Sequence, residues 1–200
     1  MRLFSLAAII AFLLLQPVPT LAQDTSAIAD NPEMAALFAA DQAVRQNIDP
    51  AKYRDRAFVD QMIADDAARR AQTRALLDAG ALKTGEDYRA AAFVFQHGST
   101  PEDYLLAHAL AVTGVAKGSK QAAWIAAAAL DRFLQSVDRD QIYGTQTRME
   151  HGGEPTLEPY DRDLLPDAVR AAAGVPSRTE QDNQLEQFRA ARQAATAQQP

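Results

Sequence analysis

The chain has 200 residues, of which 48% are hydrophobic, a formal net charge of −6 and no cysteine. This size and composition suit one domain of ordinary length built on a single core. The acidic balance argues against nucleic acid and anionic membranes as partners. The lack of cysteine excludes disulfides, thiolate metal sites, a cysteine nucleophile and a lipidated N-terminal cysteine.

Arg2, the apolar run over residues 3–15 and the small-residue stretch Thr20-Leu21-Ala22 read as a secretory signal peptide over residues 1–22. The run is shorter than the ~20 residues a membrane span needs. Export to the periplasm or extracellular space is therefore expected, with no membrane segment left after cleavage. Residues 23–30 read as a flexible lead-in, 31–180 as one helical domain, and 181–200 as a C-terminal helix with a frayed tail.

Asp30-Asn31-Pro32-Glu33 is a helix start: a capping side chain, a proline in the first turn and an acid at the positive end of the dipole. A first helix is predicted over 32–46, with Met34, Leu37, Phe38 and Val44 as its apolar stripe. Asp41 follows Met34 by seven residues and Arg45 follows Phe38 by seven, so both fall on or beside that stripe. A second helix is predicted over 54–79, with Phe58, Val59, Met62, Ile63, Leu76 and Leu77 inward and a stop at Gly80. Asp66, Arg69, Arg70 and Thr73 sit between its apolar ends. Asp41/Arg45 and Asp66/Arg70 are both i,i+4 pairs, a spacing common on solvated faces. Their recurrence among apolar neighbours also fits a shared polar interior.

Thr84-Gly85-Glu86-Asp87-Tyr88 and Thr100-Pro101-Glu102-Asp103-Tyr104 repeat one capping theme. They open a third helix to His97 and a fourth to Lys117, and Ser119 is read as the cap of a fifth, alanine-rich helix over 120–137. The spacing of these starts is close to the ~34-residue unit of tetratricopeptide-type hairpins, though that repeat's signature residues are missing. Tyr104, Leu105, His108, Ala111, Val112 and Val115 are read as the buried stripe of the fourth helix. The fifth is read as a central helix, with Trp124, Leu130, Phe133 and Leu134 filling the larger gaps. Residues 141–159 then change character: β-formers, a His151-Gly152-Gly153 turn and a possible return strand predict a small β-hairpin or extended arm. Helices over 165–173 and 178–194 complete a mainly α fold, a bundle or helical-hairpin array.

His97, Asp131 and Asp41 are the candidate catalytic residues, since His titrates near neutrality and a carboxylate can orient it. Arg45, Arg132, Gln141, Tyr143, Thr145 and Gln146 are the candidate binding residues. Each has a plainer reading beside the functional one. His97 can cap a helix C-terminus, and His108 can be a bonded core histidine. Asp131 can accept backbone N–H bonds from the segment after it, and Gly144 can mark a structural corner. Charges at inward positions are costly unless paired, so convergence of these residues into one cluster is expected. The three His have no metal-ligand spacing, and no nucleotide or cofactor motif is present. No metal or cofactor is predicted.

D-Q-x-x-R at 41–45, Q-H at 96–97, D-R at 131–132 and Q-x-Y-G-T-Q at 141–146 resemble a bacterial domain family of unknown function. That resemblance implies a mainly helical domain and no particular reaction. Two functions are weighed: an exported binding module for a small polar ligand or protein segment, and an exported hydrolase or transferase using His97 with Asp131 or Asp41.

Overall fold

The computed structural model describes residues 28–46, 50–149 and 153–197. The predicted signal peptide, most of the lead-in and the His151-Gly152 part of the predicted turn lie outside them. The described residues form seven α-helices and no strand: α1 (Pro32–Ala43), α2 (Arg56–Asp78), α3 (Gly85–Phe95), α4 (Pro101–Ala116), α5 (Ala122–Ser136), α6 (Asp167–Ala172) and α7 (Arg178–Ala197). A 3-10 turn at Pro50–Arg54 leads into α2. No helix among these residues is long and apolar enough to cross a membrane.

Local chemistry starts most of the helices. Asn31 caps α1 by accepting from the Met34 amide at 3.0 Å. Asp55 accepts from the amides of Ala57 and Phe58 at the start of α2. Thr84 and Asp87 form a reciprocal capping box on α3, and Thr100 accepts from the Asp103 amide on α4. Each satisfies amides that the first helical turn leaves without partners. Ser119 departs from its reading as a cap. Gln121 holds that position without a side-chain bond, and the Ser119 hydroxyl donates to Glu86 at 2.5 Å. The backbone explains why: a Cβ on Gly85 would lie 2.8 Å from the Ser119 nitrogen and 2.9 Å from the Gly114 carbonyl oxygen. The start of α3 therefore presses against the α4–α5 turn and captures the hydroxyl.

The hub of the bundle is α3, which packs against α1, α2, α4 and α5. Small residues permit this. Ala91, Ala92, Ala107, Ala111, Ala122 and Ala129 are all fully buried. The larger side chains Met34, Ile125, Val94 and Phe95 fill the spaces between the alanine faces. Close packing of this kind favours backbone approach over side-chain bulk. It also overturns the stripe read on α4: Ala107, Leu110, Ala111 and Gly114 face inward, while Leu105, Val112 and Val115 are exposed. On α2, Ile63 is likewise exposed, and the buried positions are Asp66 and Thr73.

Asp87 ties two helix starts together. It is buried and accepts from the backbone amides of Asn31 at 2.7 Å, Lys83 at 2.8 Å and Thr84 at 3.0 Å. Burial alone would raise its pKa, but these bonds outweigh burial and hold the carboxyl below its ordinary value. A depressed folded-state pKa contributes stability that is present above the unfolded value of about 3.9 and lost as pH falls through the folded value. Urea unfolding measured from neutral pH downward should therefore show a loss of stability in that acid window. Asp87→Asn should be less stable at neutral pH and should lack this part of the acid dependence. Equal acid slopes in the two proteins would refute the assignment.

After α5 the chain runs as an arm held by isolated bridges. Arg148 and Thr156 exchange both backbone bonds, at 2.8 and 2.9 Å, in an antiparallel bridge. Gln141 bridges Tyr160 in parallel sense. The arm is thus the extended alternative of the two shapes expected there, pinched once like a hairpin but without ladders. It lies between α5 and the pair α6 and α7.

Candidate functional site

The predicted polar residues divide into two groups. Asp131 and Arg132 are successive on α5, so their side chains leave the helix about 100° apart. Asp131 turns to the arm and Arg132 to the C-terminal end of α3. One cluster was expected; the pitch of α5 makes two.

The first group is built on Asp41, which is fully buried near the end of α1. It accepts from Arg45 Nη1 at 3.2 Å and Gln42 Nε2 at 2.8 Å, and it stands 2.9 Å from His97 Nδ1. Asp66 on α2 accepts from Arg45 Nη2 at 2.6 Å and Arg69 Nη2 at 2.5 Å. Arg45 thus bridges two buried carboxylates from neighbouring helices. Arg69, which pairs with Asp66, is a residue the sequence noted but did not place in the candidate set. Only its position four before Thr73 and three after Asp66 hinted at an inward face.

Two further arginines close the end of α3. Arg70 Nη1 donates to the His97 carbonyl at 2.8 Å, and Arg132 Nη1 donates to the Gln96 carbonyl at 3.3 Å. Cations suit the negative end of a helix dipole. Arg132 also lies over the Tyr104 ring, 5.8 Å from its centroid, and its buried Nε has no hydrogen-bond partner among the described residues. Burial pushes the Arg132 guanidinium pKa down, and the charge of Arg45 pushes it the same way against the opposing influence of Tyr104. The Nδ1 contact with Asp41 leaves Nε2 as the other hydrogen-bonding atom of the ring. No described residue bonds to Nε2.

The second group is the arm's anchor. Asp131 is fully buried and accepts four bonds: from the amides of Ile142, Tyr143 and Thr145 at 2.8, 2.9 and 2.9 Å, and from the Thr145 hydroxyl at 2.7 Å. Gln141, also fully buried, donates to the carbonyls of Gln146 and Leu157 and accepts from the Gln146 amide. Gln146 in turn donates to the Ala128 carbonyl of α5 at 3.2 Å. Gly144 sits at φ +68°, and a Cβ there would meet the Tyr160 ring at 2.8 Å. Only glycine fits both demands.

Arg170 is the residue that reading the sequence missed here. It is fully buried on α6 and donates to the Tyr160 hydroxyl at 2.5 Å, the Tyr143 carbonyl at 2.8 Å and the Pro176 carbonyl at 3.0 Å. Gln181 of α7 adds bonds to the carbonyls of Tyr143 and Gly144 at 2.8 and 3.0 Å. Tyr143 is therefore gripped from both sides, its N–H by Asp131 and its C=O by Arg170 and Gln181. Burial raises the Tyr160 hydroxyl pKa, and the adjacent Arg170 charge partly offsets this. Nothing local in D-A-V-R-A-A marks Arg170 as buried.

His108 stands apart from both groups, with Nδ1 2.9 Å from the Ala126 carbonyl. Among the described residues, no group of three or more His, Asp or Glu side chains is placed to hold a metal ion. Comparison of the chain with family models, curated proteins and solved structures finds no match.

Proposed function

We propose that this chain is an exported helical binding module that holds a small polar ligand, or the polar end of a protein segment, at the Asp41–His97 group. The observation that carries this reading is the fixed imidazole. Buried Asp41 orients His97, its Nε2 has no bond to a described residue, and Arg45, Arg69, Arg70 and Arg132 bond around the same end of α3. Such a set places an oriented imidazole among guanidinium groups, and planar guanidinium forks are the donors that recognise carboxylates and other polar anions. The Gln141–Gln146 segment contributes indirectly, because its bonds are spent on anchoring the arm to α5.

The competing reading is a hydrolase or transferase in which His97 acts as general base. Of the two acids weighed as its partner, Asp41 is the one bonded to it. No described hydroxyl contacts Nε2, so this chemistry would activate water or a bound substrate.

A thermal-shift panel of small carboxylates, amino acids and short peptides separates the readings. A ligand that stabilises the wild type should lose about tenfold in affinity on His97→Gln, about one hydrogen bond's worth. Glutamine keeps a donor for Asp41, and Asp41 keeps Arg45 and Gln42, so the unliganded melting temperature should change little. Turnover of a ligand by wild type and unchanged binding by His97→Gln would favour the enzyme. No shift with any compound, together with a large loss of stability in His97→Gln, would overturn both and leave a purely structural network.

A further inference from the structure

A second candidate lies at the start of α5, among residues that do not belong to the His97 group. A cavity of about 230 Å³ opens between the start of α5, the arm and α7. Its walls include Trp124, Leu157, Val175 and Phe188, with Thr147 and Gln184 among the polar groups, and none of its lining residues is charged. Trp124 is 39% exposed and Phe188 50% exposed. Trp124 is held by stacking on Phe93, at 6.1 Å between centroids and 18° between planes. Its rigid ring therefore presents a defined wall to the cavity.

We propose that this cavity binds a neutral small molecule carrying one aromatic ring and a hydrogen-bonding substituent. Four features of the lining point to that class. The volume exceeds the roughly 150 Å³ that accommodates a benzene ring in an apolar cavity. Two aromatic walls favour an aromatic guest through offset or edge contacts. An uncharged lining cannot compensate a buried charge, which selects against ionised guests. Thr147, Gln184 and Trp124 line the cavity as exposed residues, and none of their polar side-chain groups has a hydrogen-bond partner among the described residues, so they are available to a guest. Thr145 and Gln181 also line the cavity, but their side chains already bond to Asp131, Tyr143 and Gly144. A pocket lined mostly by apolar and aromatic side chains with a few polar groups is the usual form of a small-molecule site.

Trp124 is the only tryptophan in the sequence, so its fluorescence reads this cavity alone. Titration of the full mature protein with benzyl alcohol should give a saturable change in Trp124 emission. Benzoate, the charged analogue, should bind at least about tenfold more weakly, because its carboxylate finds no counter-ion in the lining. Phe188→Ala should weaken benzyl alcohol about tenfold by removing one aromatic wall. Thr147→Phe, at an exposed position, should block the cavity, and neither change should alter the melting temperature appreciably. A linear, non-saturating response would overturn the proposal, as would affinity unchanged in both variants or benzoate binding as tightly as benzyl alcohol. Saturation by a phenylalanine-containing peptide, without saturation by benzyl alcohol, would also overturn it and assign the cavity to a chain segment of a partner.

Discussion

Asp131→Ala should cost about 3–5 kcal/mol of folding stability, the usual loss when one side of a buried charged network is removed. The carboxylate accepts four bonds and has no access to water. Alanine would leave three backbone amides without an acceptor in the interior, and each costs its desolvation. The damage should be local at first. Amide exchange should accelerate at Ile142, Tyr143 and Thr145 before it does so in α3 or α4, because the arm has isolated bridges and no ladder to hold it. Asp131→Asn should fall between the two, since an amide oxygen still accepts but its NH₂ faces donors. Urea unfolding followed by circular dichroism measures the total, and hydrogen exchange locates it. A loss below about 1 kcal/mol, the size of an ordinary substitution, would show that the arm is not anchored here.

The second large effect is expected at Arg170. Arg170→Met keeps the stem and the volume but removes every donor to Tyr160, Tyr143 and Pro176. A loss of about 3–5 kcal/mol is expected, with Arg170→Lys recovering little, because an ammonium cannot reproduce a planar fork that reaches three partners. The variant also carries a chemical signature. Burial already raises the Tyr160 pKa and the Arg170 charge lowers it, so removing the charge should move the hydroxyl further up. Ultraviolet titration of tyrosinate in the folded protein would read this, and an unchanged or lowered value would refute the contact. Because Asp131 and Arg170 hold opposite ends of Tyr143, the double variant Asp131→Ala/Arg170→Met should lose less than the sum of the two. Strict additivity would mean that the two grips act on independent parts of the arm.

Helix starts were legible because their chemistry is local. Asn31-Pro32, Thr84 with Asp87, and Thr100 satisfy amides two or three residues away, and side chains of that kind act alike in most contexts. The change of character after Asp138 was legible for a similar reason: a glycine between β-formers does not continue a helix. The role of Asp131 as a backbone acceptor for the arm was readable too, since an irregular segment beside a helix must find partners for its amides.

What the sequence by itself determined about this protein is therefore its helical class, the places where most helices begin and the break into the arm. Only the tertiary structure decided which faces meet. Periodicity put Leu105, Val112 and Val115 inside, but α4 turned its small residues to its neighbours and left these outside, because close backbone approach outweighed side-chain size. Tertiary packing also decided which charges pair. His97 finds Asp41 across 56 residues and Arg70 reaches 27 residues ahead to the end of α3, while Asp131 and Arg132, adjacent in sequence, serve different groups. Arg170 had no local mark at all. Its burial depends on Tyr143, Tyr160 and Pro176 arriving from three separate segments, and no pattern within one helix records that meeting.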